Sequence, residues 1–179
     1  MLGHVAPALA EETVAVFTPD PQRYRDAFPD PEELYDVVRS DWLFRMPSLK
    51  LAEAQHAAGA ASGLRTAHLY ELTWEAPRMG GALGACHGLD VPLVFGNLTV
   101  GQTALLIGGP SPEATIVSRQ MGEAWTAFAA RGDPGWPHFD PHPDSETTRI
   151  FDVQPRVTAY PEKVSRAIWS DDPGVIDLA

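Results

Sequence analysis

The sequence predicts an α/β fold, helices packed on a few strands, and three observations predict it. The run from Arg65 to Trp74 holds Leu69, Tyr70, Leu72, Thr73 and Trp74 with neither Gly nor Pro, which is strand composition between two turn-rich stretches. Ser111-Pro112-Glu113 then opens a helix that continues to about Gly132. Finally, Thr148 to Val153 reads as a short late strand. A strand, a long helix and a second strand in that order are the alternation of a layered α/β unit.

The elements follow in chain order. Met1 to about Thr18 is Ala-rich and mildly helical, and Pro19, Pro21, Pro29 and Pro31 cut the next stretch into short pieces joined by turns. Pro31-Glu32-Glu33 places a proline and two acids at a helix start, where backbone N–H groups lack partners. Asp41 to Pro47 leads into a helical run, Ser48 to Ala54, in which Pro47 suits a first turn or a kink; Gly59 and Gly63 bracket its end. After the strand, Pro77, Gly80, Gly81 and Gly84 predict a loop that carries His87. In the helix from Ser111, a capping serine precedes proline and an acid, and Val117, Met121, Ala124, Trp125 and Phe128 form one apolar stripe facing a core. Asp133-Pro134-Gly135 turns the chain, and residues beyond about Asp171 are expected to fray. Without internal repeats or a concentrated linker, residues 1–179 read as one continuous unit.

Composition excludes several functions. Thirteen Lys and Arg stand against 24 Asp and Glu, a net charge of -11, so the chain has no electrostatic footprint for nucleic acid. One cysteine, Cys86, leaves no intrachain disulfide and no multi-thiolate metal site. No apolar run approaches the roughly eighteen residues of a spanning helix. The opening Met1-Leu2-Gly3-His4 lacks a secretory pattern, and the compartment stays open.

Among titratable groups, His87 has the setting that suggests catalysis, because an imidazole on a glycine-rich loop can exchange protons near neutral pH. His138 and His142 lie four residues apart near carboxylates, but Pro137, Pro141 and Pro143 prevent the helix that would present them together, so a surface turn is expected rather than a metal site. His4, His56 and His68 show no partner pattern. Cys86 reads as a small packing residue. An esterase nucleophile elbow needs Gly two residues before and after its serine, and no serine qualifies: Ser111 has Gly109 before it but Glu113 after. The Gly80-Gly81 and Gly108-Gly109 pairs read as loop geometry, and Trp125 and Phe128 as core. Trp74, Leu89 and Phe95 lie near the histidine loop, where packing is the expected role. No cofactor is expected.

Four ordered blocks resemble the C-terminal third of type-B carboxylesterases, the family of para-nitrobenzyl esterases and cholinesterases. They are Ser40 to Pro47 with Leu49 to Ala54, the strand His68 to Trp74, the loop Gly84 to Gly96 around His87, and Ala124 to Pro137 with its Gly132-Asp133-Pro134 turn. The resemblance implies the C-terminal part of an α/β-hydrolase fold and makes His87 the base of a serine-histidine-acid triad. It implies that the intact enzyme hydrolyses small carboxylic esters. It also places the serine elbow, the oxyanion glycines and the triad acid upstream of Met1, since the family's chain order is serine, acid, histidine. Asp90 matches an acidic position that is not the triad acid. The expectation is a chain inactive alone, its exposed sheet edges covered by the missing N-terminal part or by self-association. The alternatives are a non-catalytic binding or interaction module and one half of a split esterase.

Overall fold

The computed structural model describes residues 6–62, 67–100 and 107–170, which fall into two compact units, Met1–Ala58 with Pro161–Ala179, and Gly59–Tyr160.

In the first unit, prolines open the helices. Pro7, Pro21 and Pro31 each occupy the first position of α1 (Pro7–Phe17), α2 (Pro21–Ala27) and α3 (Pro31–Ser40), where a missing N–H costs nothing. Asp20 caps α2 by accepting from the Arg23 amide, and Asp30 caps α3 by accepting from Glu32 and Glu33. At Asp41–Arg45 the helix widens into a π-turn, closed by the Met46 N–H on the Asp41 carbonyl, before α4 (Met46–Ser62) begins. The cause is Pro47, whose ring would clash with the carbonyl four residues back if the preceding turn stayed α-helical. The sequence reading allows Pro47 a first turn or a kink, and Pro47 stands second in α4, directly behind the π-turn.

The last helix, α7 (Lys163–Ser170), returns to this unit and buries Ile168 and Trp169. Its core joins a polar cluster. Asp41 is fully buried; it accepts a hydrogen bond from the Tyr24 hydroxyl at 2.8 Å, and that hydroxyl in turn accepts one from the Trp169 indole N–H. Burial raises the Asp41 pKa above 3.8, opposed by Ser165 and Tyr24 and by Arg45, whose guanidinium lies 3.6 Å from the carboxylate.

The second unit holds a three-stranded sheet in the order β1 (Leu69–Leu72), β2 (Thr148–Phe151), β3 (Arg156–Thr158). β1 and β2 are parallel, with Tyr70 opposite Arg149, and β2 and β3 are antiparallel. The parallel pair requires a crossover, which includes α5 (Asp90–Val94) and α6 (Pro112–Arg131). Ser111 caps α6 by accepting from Ala114, Pro112 stands first, and Gly132 ends the helix at φ +71°, a left-handed conformation that favours glycine. Trp74, Ala76, Leu89, Leu93, Val117, Met121, Trp136 and Phe151 belong to its core.

Several sequence expectations change. The strand from Arg65 to Trp74 contracts to Leu69–Leu72, residues 63–66 lying outside the described ones. The late strand stops at Phe151 because the Asp152 side chain turns back to its neighbours, accepting from the Val153 amide and, at 3.1 Å, from the Thr73 hydroxyl. β3 and α7 have no counterpart in the sequence reading. In the stripe on α6, Val117 and Met121 are fully buried but Phe128 is 46% exposed, so the stripe leaves the core toward its C-terminal end. Gly63 and the tail beyond Ser170 lie outside the described residues.

Candidate catalytic histidine loop

The loop carrying His87 is fixed at both ends by burial. Behind β1, Trp74 and Ala76 enter the core, and the Ala76 N–H donates to the Gly84 carbonyl at 2.9 Å, folding the intervening residues back on themselves. Ahead of it, Leu89 is fully buried and Asp90 begins α5. Between these anchors the Leu89 N–H donates to the Cys86 carbonyl at 3.2 Å, closing a four-residue turn with Gly88 at φ +80° in its third position. That conformation favours glycine, and it puts His87 on the exposed corner. Half-buried Cys86 packs against the core, the role its size suggests.

α5 is itself tied down. The Ser118 hydroxyl of α6, buried, donates to the Leu93 carbonyl at 2.7 Å. Asp90 accepts from the Tyr70 hydroxyl at 3.3 Å, so the acid after the histidine reaches back to β1. Burial and then the Asp90 charge push the Tyr70 pKa up to about 12. His87 therefore stands on a short turn whose flanks are held by packed groups.

The other sequence candidates separate. His138 and His142 are both exposed on the segment after Trp136, and the described residues contain no cluster of three or more His, Cys, Asp or Glu placed to hold a metal. His4 lies outside the described residues. Trp74 and Leu89 are core, while Phe95 is 80% exposed. The glycines of both pairs adopt positive φ; Gly80 and Gly81 end a short 3-10 helix, Arg78–Gly81, and Gly108 and Gly109 lie in loop.

His68 is the residue the sequence reading passed over. Its ring lies 4.5 Å from that of His138 and about 5.9 Å from those of Phe128 and Trp136. Burial, and secondly the proximity of His138, hold its pKa below the ordinary histidine value. Tyr70, Trp125, Phe128 and Trp136 complete a small apolar cleft beside it, of about 200 Å³, so Trp125 and Phe128 line a cavity rather than only filling a core. Apart from Tyr70, its wall partners are more than fifty residues away in sequence, and no local signal marks them.

Comparison with known proteins agrees with these elements. The sequence model of the carboxylesterase family matches residues 9–169. Para-nitrobenzyl esterase of Bacillus subtilis (strain 168) is 28% identical over 150 residues, covering 81% of this chain, and bile salt-activated lipase of Homo sapiens is 36% identical over 95 residues, covering 53%. A structure of PNB esterase superimposes with a TM-score of 0.66 at 23% identity over 91% of this chain, and another with 0.60 at 25% over 90%. These likenesses show the fold to be part of an α/β-hydrolase. The chain spans 29% of the Bacillus subtilis relative, 12% of the human one and 33% of the first PNB esterase structure. Matched along nearly its whole length, the chain belongs to the carboxylesterase family.

Proposed function

We propose that this chain is the C-terminal portion of a single carboxylesterase domain, both of its units included, and that His87 is the general base for hydrolysis of a small carboxylic ester. The carrying observation is His87 on the exposed corner of a turn whose two flanks are buried. In this reading the serine nucleophile, the oxyanion donors and the orienting acid come from polypeptide outside these 179 residues. The imidazole takes the serine proton as the serine oxygen bonds to the ester carbonyl carbon, and the carbonyl oxygen becomes the oxyanion. The imidazolium then gives that proton to the departing alcohol as the C–O bond breaks. Water repeats the sequence to release the acid.

A second reading, an interaction module or half of a split esterase, has its own observation. The Thr73 N–H donates to Phe151 of β2, so alternation turns the backbone groups of Tyr70 and Leu72 away from β2, where no strand pairs with them among the described residues. Near the histidine, Val91 and Phe95 are 55% and 80% exposed, an apolar pair at helical spacing. An N-terminal portion or a second copy would cover both features.

Hydrolysis of para-nitrophenyl butyrate by the purified chain, compared with His87→Ala, tests the assignment of the nucleophile. The expected result is no His87-dependent turnover from the chain alone. Turnover that disappears in His87→Ala would put a nucleophile within these 179 residues and overturn the reading.

A further inference from the structure

Acids outnumber bases 24 to 13 in this chain, yet three arginines line one cleft of about 700 Å³. Its walls are α6, the Asp133–Trp136 turn and β2. Arg119 and Arg131 project from α6, and Arg149 enters from β2 over the Phe151 ring, 5.5 Å from its centroid. Among the described residues none of the three has a carboxylate partner. The Arg149 Nε is buried without an acceptor, and the Oε1 of Gln120, which also lines the cleft, is buried without a donor. Buried polar atoms are satisfied as a rule, so two orphans of opposite kind in one cleft mark a place where a bound molecule supplies the missing acceptor and donor.

We propose that this cleft binds a small organic anion, its carboxylate or phosphate head on Arg149 and its body along Ala127, Ala130 and Trp136. A guanidinium held over an aromatic ring by cation–π attraction loses less freedom on binding an oxyanion than one free in solvent. Arg119 and Arg131 are twelve residues apart, about 18 Å along the helix axis, so one small head group meets Arg149 with at most one of them. Glu123 stands between them on the same wall and repels a second negative group, which selects a ligand with a single anionic head. The net charge of -11 does not cancel the site, because acids farther than the Debye length, about 8 Å at physiological salt, are screened. The inference does not depend on the esterase reading.

Calorimetric titration of the whole chain with inorganic phosphate and, separately, with benzoate tests it. Saturable binding of at least one probe is expected, weakened about tenfold or more by Arg149→Met, the scale of a lost charge-assisted hydrogen bond. The double variant R119Q/R131Q, altered only on the exposed helix surface, is expected to weaken binding and to reduce its salt dependence, and it serves if the strand variant does not fold. Preference for benzoate identifies a carboxylate ligand, and preference for phosphate a phosphate ester. No saturable binding of either probe at millimolar concentration, or affinity unchanged in the folded variants, would overturn the proposal.

Discussion

His87 and His68 show how surroundings divide one chemistry. His87 stands exposed on a turn built around Gly88, whereas His68 is enclosed by Phe128, Trp136 and His138. The His68 pKa is lowered, so the folded state holds its neutral form more strongly than the unfolded chain does. Its contribution to stability is then fully present above the unfolded value of 6.5 and is lost as pH falls through the folded value. His68→Phe, which keeps the apolar packing and removes the titration, is expected to flatten the fall in thermal midpoint below pH 6.5. Melting both proteins between neutral and mildly acidic pH checks this; parallel curves would contradict it. At this scale the sequence was readable where the signal was local. The glycines around His87 announce an exposed turn, and the prolines beside His138 and His142 rule out a shared helical face. The enclosure of His68 depends on residues brought from α6 and the turn beyond it, and nothing next to His68 encodes that.

Among the elements, α6 was legible end to end because its signals are chemical and adjacent: Ser111, Pro112 and Glu113 at the start, Gly132 at the end. The strands were legible in place but not in length. A strand continues only while its ladder does, and the ladder of β2 stops where the Asp152 carboxylate engages backbone and side-chain donors. β3 spans three residues and α7 eight, too short for periodicity to separate them from turns. The link from α6 to α5 gives a prediction about the histidine loop. Ser118→Ala removes the buried hydroxyl donor and leaves the Leu93 carbonyl with the Gly96 N–H at 3.3 Å, so it is expected to cost about 0.5–1.5 kcal/mol, the net worth of one hydrogen bond. Urea unfolding should show the loss. Hydrogen exchange should quicken at the Phe95 and Asn97 amides, which bond to Val91 and Pro92 of α5. Unchanged exchange there would mean that the serine does not hold the element following His87.

For the whole molecule, the sheet and the relatives point the same way. β1 ends the described sheet, with no second strand paired to its other edge among the described residues, and the chain spans about a third or less of the relatives it matches. The family was legible in the sequence because its blocks are local and ordered, from Ser40 to Pro47 through the His87 loop to the Gly132-Asp133-Pro134 turn. What completes the site was not, because the nucleophile, the acid and the neighbouring strand in this reading belong to other polypeptide.

The most direct measurement is complementation. The part of the Bacillus subtilis relative upstream of the matched stretch is co-expressed with this chain, the co-eluting complex is isolated, and para-nitrophenyl butyrate hydrolysis is followed with His87 and with His87→Ala. The account predicts turnover by the complex and a fall on the order of 10⁴-fold or more in the variant, the scale of losing a triad base. A co-eluting complex without turnover, or with turnover unchanged by His87→Ala, would contradict it.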